Sequence, residues 1–140
     1  MSAVTKSLCS TLMFVGVFVF GSADQKFLKA ESGQDVTLTC RAPNNNIRHV
    51  LWTRADLLPE YVLLYQNGQF DPDDQHPSFK NRVDLQDRQM KDGDVSLILK
   101  DVTINDAETY KCLVFMEKTR SWELIRLIYL RVSPEGKAKG

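Results

Sequence analysis

The hydrophobic positions of this chain form one uninterrupted apolar run near the N-terminus and short alternating segments over the rest. The run extends from Leu12 to Phe20, after Lys6 and before the small residues at 21–23. This order is typical of a secretory signal peptide. The alternative is a transmembrane helix, but that needs about 20 apolar residues, more than this run provides. We predict cleavage after Ala23, which makes residues 1–23 a signal peptide.

After residue 23 the apolar residues alternate with polar ones, at the period of two expected for half-buried β-strands. Val36, Leu38 and Cys40, for example, are separated by two threonines. No segment sustains the spacing of an amphipathic helix, so the chain is predicted to be all-β. The other predicted strands contain Val50 with Trp52, Tyr61 to Tyr65, Arg82 to Leu85, Leu97 with Leu99, Tyr110 with Cys112 and Val114, and Ile128 with Leu130 and Val132.

Composition limits the possible functions without choosing one. A chain of 140 residues suits a single folded domain. The 18 basic and 18 acidic side chains give a net charge of zero, which does not indicate a nucleic-acid partner. The hydrophobic share of 43% is that of an ordinary globular protein.

Patterns of catalytic and metal-binding residues are not found in the sequence. His49 and His76 have side chains of the type that exchanges protons near neutral pH, but no Ser, Cys or metal ligand stands at a characteristic spacing from either. Asp71, Asp73 and Asp74 lack the glycine and glutamate of a calcium loop. We therefore predict no enzyme activity, no cofactor, no metal and no small-molecule substrate.

The stretch from Asp106 to Cys112 has the spacing Asp-x-x-x-Tyr-x-Cys. Together with Cys40, Trp52 and Arg82 it resembles the signature of immunoglobulin variable-set domains, over nearly all of the chain after residue 23. The resemblance implies a β-sandwich of two antiparallel sheets with Greek-key connections. About 30 residues separate Trp52 from Arg82, enough for two extra strands, so about nine strands are expected rather than seven. The domain is expected at 24–133, followed by a polar tail or linker at 134–140.

The same resemblance implies a disulfide between Cys40 and Cys112, with Trp52 packed against it. Cys9 is the third cysteine, but it lies in the predicted signal peptide and would be removed with it. The secretory route supplies an oxidising compartment in which a disulfide persists. The alternative is that both remaining cysteines are reduced core residues.

Two further structural roles follow from the resemblance. Tyr110, two residues before Cys112, is expected to form a tyrosine corner. Arg82 and Asp106 are expected to form an ion pair that closes one end of the sandwich.

Within this family the chain is most similar to butyrophilin-like and costimulatory-ligand domains of vertebrate immune cells, including the expanded sets found in fish. The stretches 71–76, 80–83 and 93–97 carry this likeness. A rearranged antigen-receptor chain would contain Gly-x-Gly near its last strand, and Trp122 to Val132 contains no glycine. The likeness implies a non-enzymatic module that binds a protein on another cell and regulates T-cell responses. The alternative is an adhesion module that makes homophilic contacts.

Alternation also predicts which side chains point away from the core. Because Trp52 and Cys112 face inward, their neighbours in sequence face outward, and an exposed face with apolar and aromatic residues is typical of an interaction surface. The alternative is that the domain's own loop 116–122 covers Leu113 and Phe115. The predicted partner-binding residues are Leu51, Thr53, Lys111, Leu113, Phe115, Arg120, Trp122, Tyr129 and Arg131.

Three loops, 43–48, 66–69 and 116–122, are expected to gather at one end of the domain. The asparagines at 44–46 could form adaptable hydrogen bonds with a partner or simply a solvated turn.

Homodimerisation through the outward face is a further hypothesis. We expect no membrane insertion by this chain itself; it is predicted to be secreted, or extracellular if it belongs to a longer, anchored protein.

Overall fold

The computed structural model describes residues 24–43 and 47–134. The predicted signal peptide at 1–23, the asparagines 44–46 and residues 135–140 of the predicted tail lie outside the described residues. Within those ranges the chain forms nine strands, which are β1 Asp24–Glu31, β2 Val36–Leu38, β3 His49–Arg54, β4 Leu63–Gln66, β5 Gln69–Phe70, β6 Val83–Leu85, β7 Leu97–Leu99, β8 Glu108–Met116 and β9 Ser121–Ser133.

The helices of the described ranges are single 3₁₀ turns, and none of them could cross a membrane. They connect strands at the two ends of the molecule. Their bounds are Ala55–Leu57, Pro77–Phe79, Lys91–Gly93 and Ile104–Asp106.

The strands form two sheets, in the order β1-β9-β8-β3-β4-β5 for the larger and β2-β7-β6 for the smaller. The predicted all-β sandwich is confirmed. Neighbouring strands are antiparallel except for β1, which runs parallel to β9 from Asp24, opposite Arg126, to Glu31, opposite Ser133. Alternation along a strand does not indicate its direction, so the sequence could not predict this pairing.

The core lies between the two sheets and contains the predicted inward rows. Leu38, Trp52 and Val114 are completely buried, because every second residue of a strand points to the same side. The disulfide joins Cys40 to Cys112. Trp52 is buried in the same core cluster as the disulfide, and its indole N–H donates to the carbonyl oxygen of Val95 over 3.0 Å. The indole is therefore fixed by packing and by a hydrogen bond.

At one end of the sandwich Arg82 and Asp106 form the predicted ion pair. Arg82 Nη2 lies 2.6 Å from Asp106 Oδ2, and the aspartate side chain is 5% exposed. The Tyr110 hydroxyl donates to the backbone oxygen of Asp106 over 2.6 Å, which is the contact of a tyrosine corner. Burial raises the pKa of Tyr110, so the hydroxyl keeps its proton and acts as this donor.

Arg54, which the sequence interpretation did not single out, belongs to the same end. Its guanidinium donates to both carboxylate oxygens of Asp56, at 3.0 and 2.6 Å, and this hydrogen bonding holds the pKa of Asp56 below its usual range. The guanidinium carbon also lies 5.5 Å from the ring centre of Tyr110 and 5.7 Å from that of Phe79. Arg54 continues the row of inward-facing residues formed by Val50 and Trp52. A charged residue at an inward-facing position is the sequence feature that could have identified it.

Candidate protein-binding face

The outward residues of β8 and β3 form the centre of one sheet face, which we call the outer face. Tyr110, Cys112 and Val114 are buried, so the residues between them point away from the core. Across the sheet Leu51 pairs with Leu113, and Thr53 pairs with Lys111. Leu51, Leu113, Phe115 and Lys111 are half-buried, as the predicted phase requires.

The outer face continues onto β9, where a bulge changes the phase of the strand. Tyr129 pairs with Thr109, but the register shifts after Cys112, so that Leu124 pairs with Leu113 and Trp122 with Phe115. Strict alternation from Tyr129 would have placed Ile125 and Glu123 outward instead. The extra residue of the bulge is thus what brings Trp122 onto the outer face.

The predicted loop 116–122 is wrong at both ends. β8 extends through Met116 and β9 begins at Ser121, so the turn contains residues 117–120. The two strands are longer than predicted, since their pairing continues through Phe115 with Trp122 and Met116 with Ser121. Arg120 lies in this turn, exposed and with a positive φ of 55°.

Three rings meet on the outer face beside this turn. The ring centres of Phe115 and Trp122 are 5.5 Å apart, and His49 lies 5.6 Å from Phe115. Trp122 is 38% exposed and Phe115 is half-buried. Phe115 therefore contacts its strand neighbour Trp122 and still contributes to the surface.

Thr53 differs from the prediction, because it is 8% exposed and therefore buried. Its short side chain stands on a central strand, directly opposite the longer Lys111. A partner that docks on the outer face would reach Lys111 rather than Thr53.

The far edge of the outer face contains an aromatic pair that sequence reasoning missed. Phe27 of β1 stacks on Tyr129 of β9, with ring centres 4.7 Å apart and planes 18° from parallel. Phe27 is 73% exposed. Because the parallel pairing of β1 with β9 sets this contact, the sequence pattern of β1 alone gave no signal for it.

The edge strand is fixed to the sandwich by Arg126. This guanidinium bonds to the carboxylate of Asp24 and to the backbone oxygen and hydroxyl of Thr39, at 3.0 and 2.9 Å. The hydrogen bond from Arg126 lowers the pKa of Asp24. Arg126 therefore links β1, β9 and the segment after β2.

The described ranges contain open grooves but no candidate metal site. No group of His, Cys, Asp and Glu residues there could hold a metal ion. An open groove of about 370 Å³ lies at the loop end, lined by Ile47, Arg48, Tyr65, Asn67, Gly68, Arg88 and Met90. The arrangement of the outer face suits binding of a protein surface better than chemistry on a small molecule.

Residues 24–131 match the immunoglobulin V-set domain, and the chain belongs to this family. It is similar to mouse butyrophilin subfamily 1 member A1, with 31% identity over 118 residues, which cover 82% of this chain and 22% of that protein. It is also similar to mouse programmed cell death 1 ligand 1, with 30% identity over 98 residues, which cover 66% of this chain and 33% of that protein.

The solved structures agree with this assignment. A chain in the crystal structure of ICOS in complex with ICOS-L and an anti ICOS-L VNAR domain matches with a TM-score of 0.68 and 25% identity, over 79% of this chain and 56% of that one. The present chain spans about a fifth to a third of the length of the two mouse relatives. The predicted resemblance to butyrophilin-like V-set domains is confirmed.

Proposed function

We propose that this chain is a non-enzymatic recognition module that binds a protein on another cell through the outer face and thereby regulates T-cell responses. The observation that carries the proposal is the row of half-buried apolar residues along β3, β8 and β9. Leu51, Leu113 and Phe115 point away from a core that is already complete without them. Apolar and aromatic side chains gathered on one face are typical of protein interfaces.

The relatives support the immune part of the proposal. Programmed cell death 1 ligand 1 is named as a ligand, and ICOS and ICOS-L are described as a complex. Proteins that are named as a ligand or that form a complex with a second protein are therefore found among those this chain is similar to. We propose further that residues 1–23 direct the chain into the secretory pathway, and that the domain at 24–133 acts outside the cell.

Replacing Phe115 with Asp is expected to abolish binding while the domain stays folded. The full chain, secreted from cultured cells with a C-terminal biotin tag and assembled on streptavidin, is applied to leukocytes, and bound fluorescence on T cells is measured. The aspartate would place an unpaired charge in the apolar contact, and the expected loss of about a hundredfold or more in affinity would leave no detectable binding in this assay. Thermal unfolding of the same sample checks that the variant is folded.

The matched control is Ile104→Asp, because Ile104 is 58% exposed and lies on a 3₁₀ turn outside the outer face. It introduces the same charge and is expected to bind like the unchanged chain. Equal binding by the Phe115→Asp variant would refute the proposed face.

The second candidate function is cell adhesion, in which the same apolar face makes homophilic contacts. Analytical sedimentation of the full chain separates the two functions. A monomer at micromolar concentration agrees with a heterologous partner, whereas self-association that Phe115→Asp removes would favour adhesion.

A further inference from the structure

Three cations surround the aromatic pair at the far edge of the outer face. Lys29 follows Phe27 on the same side of β1, and Arg131 follows Tyr129 on the same side of β9. Lys29 and Arg131 are in register with each other, and Lys111 pairs with Leu127 on the neighbouring ladder. Since Phe27 is 73% exposed, the apolar centre of this group is open to a partner.

None of these three cations belongs to an ion pair formed within residues 24–43 and 47–134. Among the outward positions of the strands in the larger sheet, Glu31 at the end of β1 is the one carboxylate, and it stands opposite Ser133. The strand surface around Phe27 and Tyr129 is therefore apolar at its centre and positive at its rim.

This charge distribution favours an acidic partner protein over a second copy of the chain. A second copy of the chain would bring three further cations into the same interface and one carboxylate from each copy, and like charges brought together oppose association. A partner with carboxylates around an apolar side chain would instead pair with all three cations. Aromatic residues and arginine are the usual energetic centres of such contacts.

We propose that β1 extends the binding face, and that the partner is a protein whose contact surface presents an aromatic or aliphatic side chain flanked by Asp or Glu residues. The proposal rests on the proposed function and adds to it the chemistry of the partner. The apolar side chain packs on Phe27 and Tyr129, and the carboxylates pair with Lys29, Arg131 and Lys111.

The first test uses the streptavidin-assembled full chain on leukocytes. The double variant Lys29→Glu/Arg131→Glu is expected to weaken binding about tenfold or more, because reversed rim charges repel the partner and slow association. Phe27→Ala is expected to weaken binding to a similar extent, and Lys29→Arg/Arg131→Lys to preserve it. The control Lys80→Glu/Lys91→Glu makes the same change in net charge at exposed positions outside the sheet and is expected to bind normally.

The outcomes separate this proposal from the proposed function. Normal binding by Lys29→Glu/Arg131→Glu, with binding lost in Phe115→Asp, would refute the extension over β1 and leave the proposed function intact. Normal binding by both variants would refute the proposed function.

A second test needs no leukocyte partner. Short random peptides displayed on phage are selected on the unchanged chain and counter-selected on Lys29→Glu/Arg131→Glu. Enrichment of peptides with Asp or Glu beside an apolar residue is expected, and enrichment without negative charge would overturn the proposal. Binding to phosphatidylserine vesicles that depends on Lys29 and Arg131 would also overturn the proposal, since it would assign the positive rim to a membrane. Self-association that Phe27→Ala abolishes would overturn it too, since the partner would then be a second copy of the chain.

Discussion

Asp106 satisfies several donors at one end of the sandwich. Its carboxylate accepts hydrogen bonds from the Arg82 guanidinium at 2.6 Å and from the backbone N–H of Thr103 at 2.9 Å. Its backbone oxygen accepts the Tyr110 hydroxyl. One residue therefore fixes the connection from β6 to the turn that precedes β8.

Replacing Asp106 with Asn is expected to lower the free energy of unfolding by about 3 kcal/mol, because one member of a largely buried ion pair loses its charge while Arg82 keeps its own. Urea denaturation of the full chain measures the change. The control is Asp73→Asn at an exposed position, with an expected loss under about 0.5 kcal/mol. A loss for Asp106→Asn no larger than for the control would contradict this assignment.

The strands show which parts of the fold local patterns can predict. The inward-facing residues of β3, β7 and β8 could be predicted from alternation, because which side of the sheet a residue faces depends on its position within its own strand. The bulge at Ile125 and the parallel pairing of β1 depend on how two distant strands meet, and a period of two does not specify this. Trp122 was consequently predicted in a loop, and Phe27 was not considered for the face.

The short hairpin from β4 to β5 depends on a two-residue turn. Asn67 and Gly68 both have positive φ, at 54° and 81°, as a type I′ turn requires. A Cβ added at Gly68 would meet no atom within 4 Å, so any cost of adding one arises from the backbone conformation.

Gly68→Ala is expected to cost about 1 kcal/mol of folding free energy, because the left-handed conformation is unfavourable for residues with a Cβ. Chemical denaturation gives the value. Gln69→Ala, at the exposed neighbouring position, serves as the control and should change stability by less than about 0.5 kcal/mol. Equal stability of Gly68→Ala and the unchanged chain would mean that this turn has another conformation in solution.

Across the whole molecule, several carboxylates are stabilised in their charged form. Hydrogen bonds from Arg126, Arg54 and Arg88 lower the pKa of Asp24, Asp56 and Asp84 below 3.8. Burial opposes the charge of Asp94, but hydrogen bonds from Ser96 and Gln86 outweigh it, and its pKa is also lowered.

These groups bind protons more weakly in the folded state than in the unfolded chain. Their contribution to stability is therefore complete above the unfolded pKa of about 3.8, and it is lost as pH falls below that value through the folded pKa values. Urea midpoints measured between about pH 6 and pH 2 are expected to fall steeply at the acid end. The variant Asp84→Asn should show a shallower fall, and a midpoint that stays constant down to about pH 2 would contradict the prediction.

The binding properties of the molecule were less predictable than its architecture. The spacing of Cys40, Trp52 and Cys112 indicated the sandwich because disulfide geometry and core packing restrict it strongly. Surface residues carry no such restriction, so alternation indicated that Leu113 and Phe115 point outward but wrongly included the buried Thr53. The partner's identity depends on complementarity with a second molecule, which one sequence does not contain.

The parallel pairing of β1 with β9 has a practical consequence for labelling this protein. Asp24 lies beside Arg126, partway along β9, so a tag attached ahead of Asp24 would continue toward the part of β9 that carries Trp122. The other end of the ladder, at Ser133, points away from Trp122. A fluorophore or fusion partner attached after residue 134 would therefore lie away from Trp122, and a long linker there would keep it clear of Lys29 and Arg131 as well.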